Sequence, residues 1–178
     1  MALTKYRNAI IRLLHEHLSR PVVMLRQNAD RPLKADKSTV DYPFLGYSVL
    51  ATFIQDRETG NYAATEVPST DPRFKVDLME SIELQPQFTL SFTAYAKTGE
   101  EAKELSLRAW EFFKLQGYHA LARENIIVVE LMNIGSKDLF EVDDYERREG
   151  FDVRFRTLHR IEHRLETIEK YKVKKEYS

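Results

Sequence analysis

Residues 85–117, QPQFTLSFTAYAKTGEEAKELSLRAWEFFKLQG, pass from a strand pattern to a helix pattern within a few positions. Phe88, Leu90, Phe92 and Ala94 alternate with Thr89, Ser91, Thr93 and Tyr95. A period of two sends the first set to a core and the second outward. Thr98 and Glu101 then form a T-x-x-E capping box, in which the threonine hydroxyl accepts the amide three residues on. Beyond it Ala102, Leu105, Ala109, Phe112 and Phe113 recur at helical spacing, and Gly117 is expected to close the helix. Trp110 lies beside that stripe and reads as a core or interface side chain.

The flanks fit the same plan. Leu45, Tyr47, Val49, Ala51 and Phe53 on one face, with Gly46, Ser48, Leu50 and Thr52 on the other, predict a strand antiparallel to the one spanning 82–96. Between them, 56–76 (DRETGNYAATEVPSTDPRFKV) holds a Thr-Gly-Asn turn and two prolines. This excursion is too long for a simple connection, so 56–81 is expected to form an extended β-hairpin arm. Upstream, Thr4 is a candidate N-cap for a helix with Tyr6, Ile10, Leu13, Leu14 and Leu18 on its buried side. Pro21 disfavours helix in the residue before it, which places the end at Arg20. Val22–Leu25 then reads as a short buried strand and 27–42 as a loop.

Downstream, the continuous apolar run at Ile126–Leu131 predicts a central strand. A turn at Glu149-Gly150 is expected before the alternating Phe151, Val153 and Phe155. Residues 159–173 fit either a strand or a helix. The expected class is α+β, mainly an antiparallel sheet with two helices packed on one face. A single domain is expected over 1–162, with 163–178 as a C-terminal extension for docking.

Composition narrows the function. A hydrophobic fraction of 43% with only six glycines and six prolines fits a globular chain rather than a fibrous or disordered one. With no cysteine, thiol nucleophiles, disulfides and cysteine-ligated metals are excluded. The apolar runs fall far short of the roughly 18 residues that span a bilayer, so no membrane partner is expected. Arg7, Arg12 and two histidines interrupt the N-terminal apolar stretch, unlike a signal-peptide core, so assembly in the cytoplasm is expected.

The net charge of −1 conceals segregation: residues 1–41 carry +4, 56–104 carry −5, 105–144 carry −3 and 145–178 carry +3. Such a layout suits head-to-tail self-association, in which one subunit's acidic face meets the next one's basic face.

One pattern bears on catalysis. His159-Arg-Ile-Glu162-His163 fits H-x-x-E-H, in which two histidines one helical turn apart bind zinc and the glutamate activates water. The preceding alternation leads into it as a strand, and the few residues after His163 offer poor third ligands. There is no phosphate-binding glycine loop and no nucleophile elbow. No enzyme, cofactor or metal is expected. The C-terminal Lys170-Tyr-Lys172-Val-Lys174-Lys175 alternates basic with aromatic or apolar residues. It reads as a docking strand for a protein partner or, in a second class, as part of a small nucleic-acid-binding module.

The order of four segments, each weak alone, resembles the tail-terminator (neck-terminator, or tail-completion) proteins of long-tailed bacteriophages. They are QPQFTLSFTAYA (85–96), TGEEAKELSLRAWEFFKLQG (98–117), NIIVVELMNIGSKD (125–138) and DYERREGFDVRFR (144–156). The resemblance implies a virion protein of the head–tail neck, assembled in the host cytoplasm. It implies a homohexameric ring that caps the tail tube, stops its polymerisation and offers a surface to the head connector. Further partners implied are the sheath protein and the genome DNA, which passes through the lumen without sequence-specific binding. A head-side completion or adaptor protein is the alternative within the same biology. No catalytic residue is carried over. The residues expected at subunit or partner interfaces are Arg57, Glu58, Tyr62, Glu66, Arg73 and Lys75 on the arm, and Arg147 and Arg148. In the tail they are Lys170, Lys172, Lys174 and Lys175. An arm facing the lumen would make it slightly negative.

Overall fold

The computed structural model describes residues 3–25, 40–54, 59–136, 139–141 and 144–166. These divide into two compact units, one from Met1–Asp56 with Pro86–Thr157 and the other from Arg57–Gln85 with Leu158–Ser178.

The first unit is a sheet under two main helices, the α+β class expected. Its strands are β1 (Val22–Met24), β2 (Phe44–Ile54), β5 (Gln87–Ala96), β6 (Ile126–Leu131) and β9 (Asp144–Thr157), in the order β1-β2-β5-β9-β6. Short strands β7 (Gly135–Ser136) and β8 (Leu139–Glu141) also pair with β9. All these pairings are antiparallel except that of β1 with β2.

β5 lies in the middle, and every one of its residues is buried. Phe88, Leu90 and Phe92 sit opposite Phe155, Val153 and Phe151 of β9. They pack under Ile10, Leu14 and Leu18 of α1 (Leu3–Leu18) and Leu105 and Ala109 of α2 (Gly99–Glu111). The Phe113 ring lies 5.0 Å from Phe92 and 5.5 Å from Phe155. Burying each of these rings contributes about 2 kcal/mol, which makes the aromatic layer the main stabiliser of the unit. The face expected to point outward is also covered. Thr89, Ser91 and Thr93 are buried in the central strand, and Tyr95 stacks on Phe44 at 4.8 Å in a second apolar cluster with Val40.

The capping box is present in its first half: the Glu101 amide donates to Thr98 Oγ1 over 3.3 Å. The helix does not stop at Gly117. Residues Phe112–Gln116 form a π-helical turn, closed by the Gly117 amide on the Phe112 carbonyl at 2.8 Å, and α3 (Tyr118–Arg123) follows. Gly117 has right-handed backbone angles (φ −86°), so it redirects the helix rather than ending it.

Several other expectations are corrected. α1 already includes Thr4 and ends at Leu18, where Ser19 turns to φ 53°. β1 is only partly buried, because it lies at the edge of the sheet. The run at 126–131 is the opposite edge strand rather than a central one, with Ile127 and Val129 exposed. Glu149-Gly150 is no turn, since β9 continues through Gly150 opposite Thr93. The loop expected at 27–42 lies mostly outside the described residues.

In the second unit, β3 (Asn61–Pro68) and β4 (Val76–Leu84) form the arm as an antiparallel hairpin. β10 (His159–Leu165) settles the open choice at 159–173 as strand over its own length and pairs along the other side of β4. The order is β10-β4-β3. Gly60 opens β3 at φ +79°, where a Cβ would lie 2.7 Å from Ile82 and Leu84 side-chain atoms. The long strand expected over 82–96 is broken at Gln85-Pro86, so that its first residues belong to β4 and the remainder to β5.

Candidate assembly interface

Strand alternation gives the three-stranded sheet two unlike faces. One carries Asp77, Met79, Ser81 and Glu83 of β4, flanked by Arg160, Glu162 and Arg164 of β10. The other, more apolar one carries Leu78, Glu80, Ile82 and Leu84, flanked by His159, Ile161, His163 and Leu165 of β10 and by Tyr62 and Glu66 of β3. Tyr62 is 60% exposed and Ile161 49% exposed, a large apolar fraction for both ends of one row.

The polar face is held by one buried carboxylate. Asp77 is 1% exposed, and its Oδ2 accepts the Thr70 amide at 3.3 Å and pairs with Arg164 Nε at 3.5 Å. Arg164 also donates through Nη2 to the Pro68 carbonyl at 3.0 Å, so one side chain of β10 ties down the end of the hairpin. At its tip, Arg73 binds both oxygens of Asp71, the shortest contact being 2.6 Å. These bonds hold the Asp71 carboxyl down to about 2 and raise the Arg73 guanidinium. On the apolar face, Tyr62 Oη donates to Glu80 at 2.6 Å, which raises its hydroxyl pKa. His163 Nδ1 lies 3.7 Å from the other Glu80 oxygen.

The H-x-x-E-H stretch lies on β10. Four residues apart on a strand, His159 and His163 are separated by about 13 Å rather than one helical turn. Glu162 points to the opposite face and pairs with Arg160 at 3.0 Å. That spacing does not hold one zinc ion. Among the described residues no group of three or more His, Asp or Glu side chains is placed to hold a metal. Nor is any described helix long and apolar enough to cross a membrane.

Of the residues expected at interfaces, Tyr62 and Glu66 lie on β3, while Arg73 and Lys75 lie in the turn before β4. Arg147 and Arg148 lie on β9 opposite Ala96 and Tyr95, and the Arg148 guanidinium sits over the Tyr95 ring at 5.0 Å. The structure therefore gathers the arm residues in one unit and leaves the β9 pair in the other. Arg57, Glu58, Lys170, Lys172, Lys174 and Lys175 lie outside the described residues. Sequence reading missed the β10 partners. It also missed an exposed apolar group on the helical layer, Leu107, Leu115 and Tyr118. Only off-stripe hydrophobicity in 105–118 could have signalled the latter.

Residues 8–178 match the model of a family described as phage neck terminator protein. The chain belongs to the phage neck terminator family. No curated protein matches it. As a neck terminator it is a structural virion protein, with a non-enzymatic role and with tail tube and neck components as its partners. A sheet with two strand edges unpaired among the described residues, and with exposed Tyr62 and Ile161 at the ends of one row, suits such a protein better than a concave reaction site.

Proposed function

We propose that this neck terminator closes into a homohexameric ring that caps the tail tube, halts its polymerisation and gives the head connector its attachment surface. The observation that carries the proposal is the family match over 8–178. It is supported by the charge segregation along the chain, which suits head-to-tail contacts, and by the three-stranded sheet, whose two edge strands pair with no further strand among the described residues. The arm residues Arg57, Glu58, Tyr62, Glu66, Arg73 and Lys75, with Arg147 and Arg148, serve subunit and partner contacts. The part of the 163–178 extension that follows β10, including Lys170, Lys172, Lys174 and Lys175, docks on the tube or sheath. Genome DNA passes through the lumen without sequence readout, and an arm turned inward makes that lumen slightly negative.

The test is tube assembly in vitro. Purified chain added to polymerising tube protein should stop elongation and appear at tube ends as a six-fold ring in end-on electron micrographs. Unchanged elongation with bare tube ends would refute the proposal.

A further inference from the structure

The sheet β10-β4-β3 has two edges, and among the described residues no further strand pairs with either. An exposed edge is a template for another strand. β3 and β10 both run antiparallel to β4, so they run in the same direction as each other. Rotation about one axis preserves strand direction along that axis. A ring that continues the sheet from copy to copy must therefore join β3 of one copy to β10 of the next in parallel. A two-fold edge contact would instead join β10 to β10, or β3 to β3, in antiparallel fashion.

We infer that neighbouring copies join by parallel addition of β3 to β10, with Tyr62 of one copy meeting Ile161 of the next. This rests on the ring proposed above. With the strands running along the ring axis, the levelling of the two edges within one copy sets the register between copies. Tyr62 and Ile161 both pair with Ile82, and Asn61 and Arg160 both pair with Glu83, so the two edges are level. Carried round the axis, the row Tyr62–Ile82–Ile161 closes on itself. An aromatic residue then meets a β-branched one, a favourable cross-strand pair, and both exposed apolar ends are covered.

The next two rows on this face bring Ala64 against His163 and Glu66 against Leu165. The opposite face brings Asn61, Ala63 and Thr65 against Arg160, Glu162 and Arg164. No like charges meet. Pro68, which has no N–H to offer, falls beyond the end of β10. A two-fold contact of β10 at full overlap does the reverse: it sets Arg160 against Arg164 and Glu162 against Glu162, like charges directly opposed.

The cysteine-free sequence makes the test direct. Full-length Tyr62→Cys, Ile161→Cys and the double variant are oxidised and run on non-reducing gels, with Ala64→Cys plus His163→Cys as a second pair. Circular dichroism checks that each variant is folded, and native mass spectrometry gives the parent's oligomeric state. Within one copy the two positions lie two strand spacings apart, about 9.5 Å, which is too far for a disulfide. The double variants should give a ladder of covalent oligomers ending at the ring, and each single variant should stay monomeric. Mixing the two single variants should give dimers and nothing larger. Dimers from one single variant alone would overturn the inference in favour of a two-fold contact. A parent ring without a ladder would overturn the inference and leave the ring standing. A monomeric parent without a ladder, even when oxidised on polymerised tube protein with bare tube ends, would overturn both.

Discussion

Replacing Arg164 by Met should open the three-stranded sheet while leaving the helix-covered sheet intact. Arg164 is the cation beside Asp77, whose carboxylate is 1% exposed. Its Oδ1 has no hydrogen-bond partner, and its Oδ2 would keep only the Thr70 amide. Removing one partner of a fully buried ion pair costs about 3–5 kcal/mol, because the remaining charge is stranded. Here Arg164 itself is 34% exposed, so water screens the pair and the cost falls to about 2 kcal/mol. At 1.4 kcal/mol per tenfold, amide exchange within residues 61–84 should speed up about 30-fold. Residues 87–96, in the other unit, should not change.

The sign of the second step makes the test sharp. Replacing Asp77 by Val as well removes the stranded charge and adds a good strand former, and the exposed Thr70 amide can turn to water. Exchange in the double variant should return to within a few-fold of the parent. Hydrogen exchange followed by mass spectrometry reads both steps. An Arg164→Met protein that exchanges like the parent would refute the reasoning, as would a double variant as fast as the single one.

Gly117→Ala should destabilise the first unit even though φ −86° suits alanine. The added Cβ would lie 2.5 Å from the Phe112 ring, which is itself packed against Phe113 at 5.3 Å and His17 at 5.1 Å. Overpacking costs about 1–3 kcal/mol and outweighs the roughly 0.4–1 kcal/mol that a less flexible unfolded chain contributes. The melting temperature should fall by about 2–6 °C in a calorimetric scan, and a rise would show that Phe112 gives way. Asp71 should titrate near 2 in a carbon-detected NMR titration, and higher after Arg73→Ala, though still below the ordinary carboxylate range because the residue-73 amide, which donates to Asp71 Oδ1 over 2.9 Å, is kept. Because its folded value is depressed, the tip's contribution is present above about pH 4 and fades as pH falls toward 2. An unshifted titration in the parent would contradict the Asp71–Arg73 geometry.

The local signals were legible where one residue pattern had one structural outcome. Phe88, Leu90 and Phe92 announced a strand, and Thr98 marked a helix start, without help from distant chain. Ile126–Leu131 misled because an edge strand rich in Ile and Val looks the same in sequence as a central one. Gly150 misled because a glycine among charges resembles a turn, while its actual place is opposite Thr93. The ambiguity of Ile161, His163 and Leu165 is settled only by β4, which lies far away in the chain and leaves no local trace. Of the candidate interface, the arm was legible as an excursion. Its third strand was not, because pairing across such a separation is set by tertiary contacts.

The three-stranded sheet also imposes an order in time. Its middle strand ends at Leu84, yet one of that strand's neighbours begins only at His159, after the whole aromatic core has been translated. A nascent or truncated chain that stops near Thr157 can bury Phe88, Phe92 and Phe155 and still leave one side of β4 bare. Among the described strands the last to leave the ribosome thus completes the sheet, so on the ring contact inferred above an incomplete chain lacks the edge that its neighbour takes up.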